Sequence, residues 1–155
     1  SFIFVDLDHF KTYNDKYGFE RGDQVLLFAA RLMRSGLNKC GSGRDFLGHI
    51  GGDDYYLFAE TDEAERLCEK TIRYFDRLIR GYYDAEDCKA GKVLAQDREG
   101  NEKWFPFVSL SMVIIDIDPE ETLDLTRTFQ SLVELKRFAK SMPGSKFVRD
   151  RRRPS

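Results

Sequence analysis

Two groups of acidic residues have the chemical type and the spacing needed to bind a cation. Asp6 and Asp8 follow the apolar run 2–5, and residues two apart in a strand project from the same face. Asp53 and Asp54 follow two glycines in a short turn. If the strand after this turn lies beside the first strand, three or four carboxylates converge, and a hard cation must then neutralise them. This pattern predicts a Mg²⁺ site at which the phosphates of a ligand also bind.

The elements that must position these acids can be predicted from hydrophobic periodicity and turn residues. Strands are predicted at 2–5, 46–50, 55–59, 107–115 and 147–148, and helices at 23–37, about 62–80 and 121–141. Thr61 or Asp62 is the expected cap of the second helix. A polar, turn-rich stretch at 82–106 predicts an inserted hairpin, with 92–95 pairing with 102–105. The order indicates an α+β fold, an α/β sandwich whose helices cover a mostly antiparallel central sheet.

Composition and charge narrow the range of functions. The 155 residues fit a single domain, 1–155, and are 41% hydrophobic, with a net charge of −2. This charge gives no broad positive field, so we expect no nucleic acid partner. Since no apolar run reaches the roughly 18 residues of a membrane span, we expect no membrane contact. The three cysteines have no metal-binding or disulfide spacing, which favours the cytoplasm. Because the sequence opens directly on a strand, we expect a domain truncated at its N-terminus, with a sensor or regulatory domain attached.

Two linked motifs resemble those of the diguanylate cyclase, or GGDEF-domain, family. The run FVDLDHFKTYNDKYG at 4–18, with Gly22 and Asp23 after it, is similar to the family's DxDxFKxxND run followed by GD. The turn GGDDY at 51–55 stands where the family has GGDEF or GGEEF, and Ala139 and Lys140 resemble its closing AK. The resemblance spans nearly the whole chain and implies a palm-like nucleotidyl cyclase fold.

The resemblance also implies roles for individual residues. Asp6 and Asp54 would bind Mg²⁺ or Mn²⁺ through their side chains and Leu7 through its carbonyl, while Asp53 would act as the base for the ribose 3′-hydroxyl. The implied nucleotide-binding residues are Phe10, Lys11, Asn14, Asp23, Gly51, Gly52 and Lys140. A homodimer of such domains would condense two GTP molecules to cyclic di-GMP and pyrophosphate.

Several positions depart from the family pattern. Asp54 is one methylene shorter than the usual Glu, and 140–146 replaces the family's KxxGRN ending, where only Lys146 offers a substitute charge. The inhibitory RxxD site is degenerate, because it keeps Asp45 only and has Ser42 in the Arg position.

These departures leave alternative functions and simpler structural roles open. A degenerate GGDEF module could bind GTP without turning it over and regulate an attached domain. The residues GGDD could also belong to the palm of a CRISPR type III subunit that makes cyclic oligoadenylates, although Lys11, Asn14 and Asp23 argue against this. As single residues, Asp8 and Asp15 are expected to be a helix cap and a surface acid. His9 and His49 are expected to be structural.

Overall fold

The computed structural model describes residues 1–40, 45–96, 99–118 and 125–152. The strands are β1 (Phe2–Asp8), β2 (Phe46–Gly51), β3 (Asp54–Phe58), β4 (Val93–Gln96), β5 (Glu102–Phe105), β6 (Ser109–Ile115) and β7 (Lys146–Arg149). The helices are α1 (Phe10–Tyr17), α2 (Phe19–Cys40), α3 (Ala64–Leu78), α4 (Ala85–Ala90) and α5 (Leu125–Lys140), and a 3₁₀ turn spans Ile79–Tyr82.

The central sheet places β1 in its middle. Its five strands run in the order β2-β3-β1-β6-β7, and every pairing is antiparallel except that of β6 with β7, which is parallel. The strand after the glycine turn therefore lies beside the first strand, and Asp6 is paired in register with Asp54. The predicted α+β class and the mostly antiparallel sheet are confirmed.

The two faces of the sheet are buried against different helices. On one face Ile3, Val5 and Leu7 pack in the main core, which also contains residues of α2 and α3. On the other face Phe4 and a few β6 residues pack with partly buried side chains of α5. Along β1, the side chains on this second face are first apolar, at Phe2 and Phe4, and then acidic, at Asp6 and Asp8. This face of the sheet is therefore apolar at the start of β1 and charged at its end.

Some predicted boundaries are wrong for identifiable reasons. Helix α2 begins at Phe19 rather than 23, because its first turn is polar and carries no helical periodicity. Helix α3 begins at Ala64, after Glu63, without a side-chain cap. Thr61 lies instead near the chain start, where its hydroxyl is 3.5 Å from the Ser1 amino group. The predicted start of the last helix, at 121, lies outside the described residues.

The stretch 82–106 contains more than the expected hairpin. The hairpin itself is confirmed, since Val93–Gln96 pairs with Glu102–Phe105 as a separate two-stranded sheet, but the short helix α4 precedes it. Tyr13 donates a hydrogen bond to the carbonyl of Tyr82 over 2.6 Å. The Tyr83 hydroxyl accepts one from the Val108 amide over 2.8 Å. These contacts attach the stretch to α1 and to the segment leading into β6.

The start of β1 and the end of β7 meet at one corner of the sheet. The Ser1 hydroxyl lies 2.6 Å from Asp116, and the Arg149 guanidinium lies 2.8 Å from the same carboxylate. This corner is at the opposite end of β1 from Asp6. Within the described ranges, no helix is both long and apolar enough to cross a bilayer.

Candidate active site

Asp6 and Asp54 form a pair of carboxylates across neighbouring strands. Asp6 is only 2% exposed, and the two carboxyl groups lie within hydrogen-bonding reach of each other. Burial alone would raise the pKa of Asp6, but hydrogen bonds from Lys140 and Lys136 outweigh it and lower that pKa. The pKa of Asp54 is raised by burial and by the neighbouring Asp6 carboxylate, despite the opposing effect of Lys136. The pair is therefore a site of concentrated negative charge that depends on nearby cations.

Two lysines of α5 supply those cations. The ammonium group of Lys136 lies 2.9 Å from Asp6 Oδ2 and 3.2 Å from Asp54 Oδ1, so it bridges the two carboxylates. Lys140 lies 2.7 Å from Asp6 Oδ1. Residues four apart on a helix share a face, and this spacing brings both lysines to Asp6. Lys136 was not predicted from the sequence, because its spacing from Lys140 places both on one face of α5 but does not indicate what that face contacts.

The turn between β2 and β3 leaves its backbone open to a ligand. Gly51 and Gly52 have φ values of 129° and 61°, which favour glycine over residues with a side chain. A Cβ built on either glycine would meet nothing within 4 Å. His49 braces the turn, since Nε2 lies 2.9 Å from the carbonyl oxygen of Gly52 and its ring stacks on that of Tyr55. A structural role for His49 agrees with these contacts.

Fewer carboxylates come together than the sequence reasoning expected. Asp53 joins the site through its backbone, because its carbonyl accepts a hydrogen bond from the Leu7 amide over 3.3 Å, while its side chain is partly exposed. Among the described residues, no group of three or more His, Cys, Asp or Glu side chains is placed to hold a metal. The expected convergence of three or four carboxylates is therefore reduced to the pair Asp6 and Asp54.

Asp8 is neither a helix cap nor exposed, which corrects the expectation for this residue. It is 8% exposed and lies 2.7 Å from the ammonium group of Lys146 on β7. Ser109 and Ser111 of β6 donate hydrogen bonds to the same carboxylate. The ion pair with Lys146 therefore neutralises the Asp8 carboxylate and holds β7 next to the site. Helix α1 begins after His9, whose φ is 62° and whose side chain makes no capping hydrogen bond.

The corner between α1 and α2 brings together three of the predicted nucleotide-binding residues. The side-chain oxygen of Asn14 is buried and has no hydrogen-bond partner among the described residues. It fits beside Gly22, where an added Cβ would lie 1.8 Å from it. Asp23 follows and is exposed, while Phe10 is only 6% exposed and packs in the core. The corner thus holds a buried acceptor that lacks a partner among the described residues and, next to Gly22 in the sequence, an exposed carboxylate.

Lys11 lies on α1, facing the inserted hairpin, and not on α5 with the other two lysines. Its side chain is 80% exposed and pairs with Asp15 over 2.6 Å, which confirms Asp15 as a surface acid. Both residues line a cleft of about 480 Å³ between α1 and the inserted hairpin, with Gln96 and Glu102 on the far side. Lys11 therefore lines this cleft as an exposed cation in an ion pair with Asp15.

The donor set fits a hard divalent cation. Mg²⁺ is usually held by one or two carboxylates together with water and substrate phosphates, and Asp6 with Asp54 provides such a pair beside an open glycine turn.

At the inhibitory position, Asp45 is partly exposed immediately before β2, whereas Ser42 lies outside the described residues.

Comparisons with known proteins agree with this geometry. The family model described as "Diguanylate cyclase, GGDEF domain" matches residues 1–101. The chain is 37% identical over 65 residues to a diguanylate cyclase of Vibrio cholerae, which covers 42% of this chain and 19% of that protein. It is 35% identical over 107 residues to the diguanylate cyclase DgcS of Shewanella oneidensis, which covers 68% of this chain and 35% of that protein. The chain thus spans much less than two thirds of the length of either relative.

A solved structure shares the fold. The active GGEEF domain of a diguanylate cyclase from Vibrio cholerae superposes with a TM-score of 0.64 at 19% identity, over 98% of this chain and 83% of that one.

Proposed function

From the premise that this chain belongs to the GGDEF-domain family, we propose that it binds GTP with Mg²⁺ or Mn²⁺ and condenses two GTP molecules to cyclic di-GMP. The observation that carries this proposal is the Asp6–Asp54 pair, which faces an open turn of two glycines with positive φ. A buried carboxylate and a partly buried one beside exposed backbone suit a metal-bound triphosphate better than a purely structural role.

Asp6, Asp54 and the carbonyl of Leu7 would hold the cation, which would neutralise the phosphates and polarise the reacting phosphorus. Gly51 and Gly52 would let the phosphate chain approach the backbone, and Lys140 would turn from Asp6 to a phosphate oxygen. Lys11, whose side chain is 80% exposed and pairs only with the exposed Asp15 among the contacts described above, would turn to another phosphate. Lys140 and Lys11, together with the cation held by the carboxylates, would stabilise the negative charge that develops on the leaving group.

Asp53 would accept the proton from the ribose 3′-hydroxyl. The 3′-oxygen of one GTP attacks the α-phosphorus of the other, the bond to the β-phosphate breaks, and pyrophosphate leaves. Two such transfers close the cyclic dinucleotide. Because one chain offers one such site, the reaction requires a homodimer in which two sites face each other.

Guanine would be recognised at the corner between α1 and α2. The buried Asn14 oxygen, which has no hydrogen-bond partner among the described residues, would turn to accept from an N–H group of the guanine edge, while Asp23 would accept from another. Adenine has an acceptor at N1 where guanine has an N–H donor, so it would leave at least one of these acceptors unpaired, which is costly in a closed site. Phe10 would support this corner from the core.

We place the reaction in the cytoplasm and expect an attached regulatory domain to control it.

A second candidate function is favoured by one observation. Both oxygens of Asp6 already lie beside ammonium groups, so a GTP-binding module without turnover, acting on an attached domain, is the alternative.

The test is product formation by the full chain, dimerised through a fused coiled coil so that a missing input signal cannot mask activity. With GTP and Mg²⁺ we expect cyclic di-GMP by chromatography, and at least about a hundredfold less from Asp6→Asn. The matched control is Asp62→Asn, at an exposed acid beyond the other end of β3, which should leave the rate unchanged. If GTP binds but no product forms, the regulatory alternative holds; if GTP does not bind, both functions are wrong.

A further inference from the structure

Lys136 occupies the position between the two candidate metal ligands. Its ammonium group contacts Asp6 Oδ2 and Asp54 Oδ1 at once, and the bridged carboxylates belong to neighbouring strands. A divalent cation shared by Asp6 and Asp54 needs an oxygen of each carboxylate, and the ammonium groups of Lys136 and Lys140 already lie against both oxygens of Asp6. The lysine and the cation therefore cannot both hold this position.

The lysine is well fixed in this place. Its ammonium group also lies 4.5 Å from the centre of the Phe4 ring, a favourable cation–π distance. The side chain is 29% exposed, so the ion pairs are partly shielded from water and stronger than surface pairs. A lysine ammonium group is positively charged at neutral pH, so each of these contacts is an attraction between opposite charges.

The charges around the pair are already balanced. Two carboxylates face two ammonium groups, so a free divalent cation would add its full charge to a neutral cluster. A cation that arrives with a triphosphate brings anionic oxygens to which the displaced ammonium group can turn. The arrangement thus opposes the free cation more than the cation bound to nucleotide.

We infer that Lys136 is a tethered cation that competes with the divalent metal for Asp6 and Asp54 and keeps the site from binding free metal. The inference rests on the proposed function, since it concerns the same site. Lys136 is a regulating residue in this scheme, because it sets when the metal can enter.

The test measures binding of Mn²⁺ alone to the full chain, by electron paramagnetic resonance of the unbound ion, without nucleotide or turnover. Lys136→Met keeps an unbranched side chain without the charge and should bind Mn²⁺ roughly tenfold or more tightly than the natural chain. The matched control, Arg137→Met, removes one positive charge from the next, exposed position of α5 and should change the affinity by no more than about twofold. Lys136→Gln, which can still hydrogen bond, should also tighten binding and serves if the Met variant fails to fold.

The outcomes separate this inference from the proposed function. If binding depends on Asp6, as tested by Asp6→Asn in the Lys136→Met background, but Lys136→Met and Lys136→Gln bind Mn²⁺ no better than Arg137→Met, the competition by Lys136 is overturned and the metal site stands. If Mn²⁺ binding does not respond to Asp6→Asn in either background, the metal site is wrong and the inference fails with it. The inference is supported if the Lys136 variants, but not Arg137→Met, bind Mn²⁺ more tightly than the natural chain and if this binding depends on Asp6.

Discussion

Among single residues, Asp54 is the side chain whose length most directly limits the candidate site. It stands opposite the buried Asp6, is about one third exposed, and is one methylene shorter than the glutamate at this position of the family's motif. A misplacement of about 1 Å in a catalytic group can reduce a rate by roughly a hundredfold.

We expect Asp54→Glu to raise the rate of cyclic di-GMP formation about tenfold, which corresponds to about 1.4 kcal/mol of activation free energy. The longer side chain should bring its carboxylate closer to a metal shared with Asp6. The rate is to be measured with the dimerised chain at saturating GTP, with Asp62→Glu as the control for an added methylene elsewhere. A slower Asp54→Glu enzyme would show that the site is adapted to aspartate.

The sequence allowed part of this site to be predicted. Asp6 and Asp54 could be paired because a buried strand ending in acid and a glycine turn followed by acid must meet if their strands are neighbours. Lys136 was not predicted, because its contact depends on the exact rotation of α5 over the sheet. Asp8 was misassigned for a similar reason, since its partner Lys146 is 138 positions away in the sequence.

Among the elements, the packing of α1 on α2 decides whether the guanine corner is correctly formed. Gly22 lies inside α2, where glycine is about 1 kcal/mol less favourable than alanine. The space it leaves is filled by the Asn14 side chain, which explains why a poor helix former is tolerated here.

We expect Gly22→Ala to fold with unchanged helix content but to bind GTP about five- to tenfold more weakly. The new methyl group would displace the Asn14 amide and remove one hydrogen bond, worth about 1 kcal/mol, to the base. Calorimetric titration with a non-hydrolysable GTP analogue measures this loss. Gly81→Ala is the control, because a Cβ there meets nothing within 4 Å; equal affinities of the two variants would remove Asn14 from guanine recognition.

The long elements were easier to predict than the short ones. Strand β1 begins with the apolar run 2–5 and β6 is dominated by residues that favour strands, as central strands should be, and α5 could be located from its length and pattern. Helix α4 spans only Ala85–Ala90, too few residues to show a clear period. Its stability comes from contacts with α1 that no local pattern in the sequence encodes.

At the scale of the whole molecule, Asp87 links the inserted stretch to the body of the domain. It is 7% exposed and accepts hydrogen bonds from Tyr17 and from Lys16, the latter over 3.0 Å. Burial acts to raise the pKa of Asp87, but the hydrogen bonds from Tyr17 and Lys16 outweigh it and lower the pKa.

This lowered pKa predicts how stability depends on pH. Because the folded pKa is below the unfolded value of about 3.9, the stabilisation by Asp87 is fully present above that value and is lost as the pH falls through the folded pKa. We expect Asp87→Asn to lower the free energy of unfolding by about 1–3 kcal/mol at pH 7 and by much less in acid. Urea unfolding at a series of pH values measures this difference. Glu86→Gln, an exposed neighbour in the same turn of α4, should show little effect, and a pH-independent deficit in Asp87→Asn would contradict the assignment.

The corner at which Ser1 and Arg149 share Asp116 makes the domain a candidate for circular permutation. A short flexible peptide could join Ser1 to the segment that follows β7 there without approaching Asp6, which lies at the other end of β1. New ends could be opened at Gly100, in the turn of the inserted hairpin, where the backbone is exposed. In such a permuted chain, a fused reporter domain would stand beside the cleft that Lys11 lines, and its signal would respond to whatever enters there.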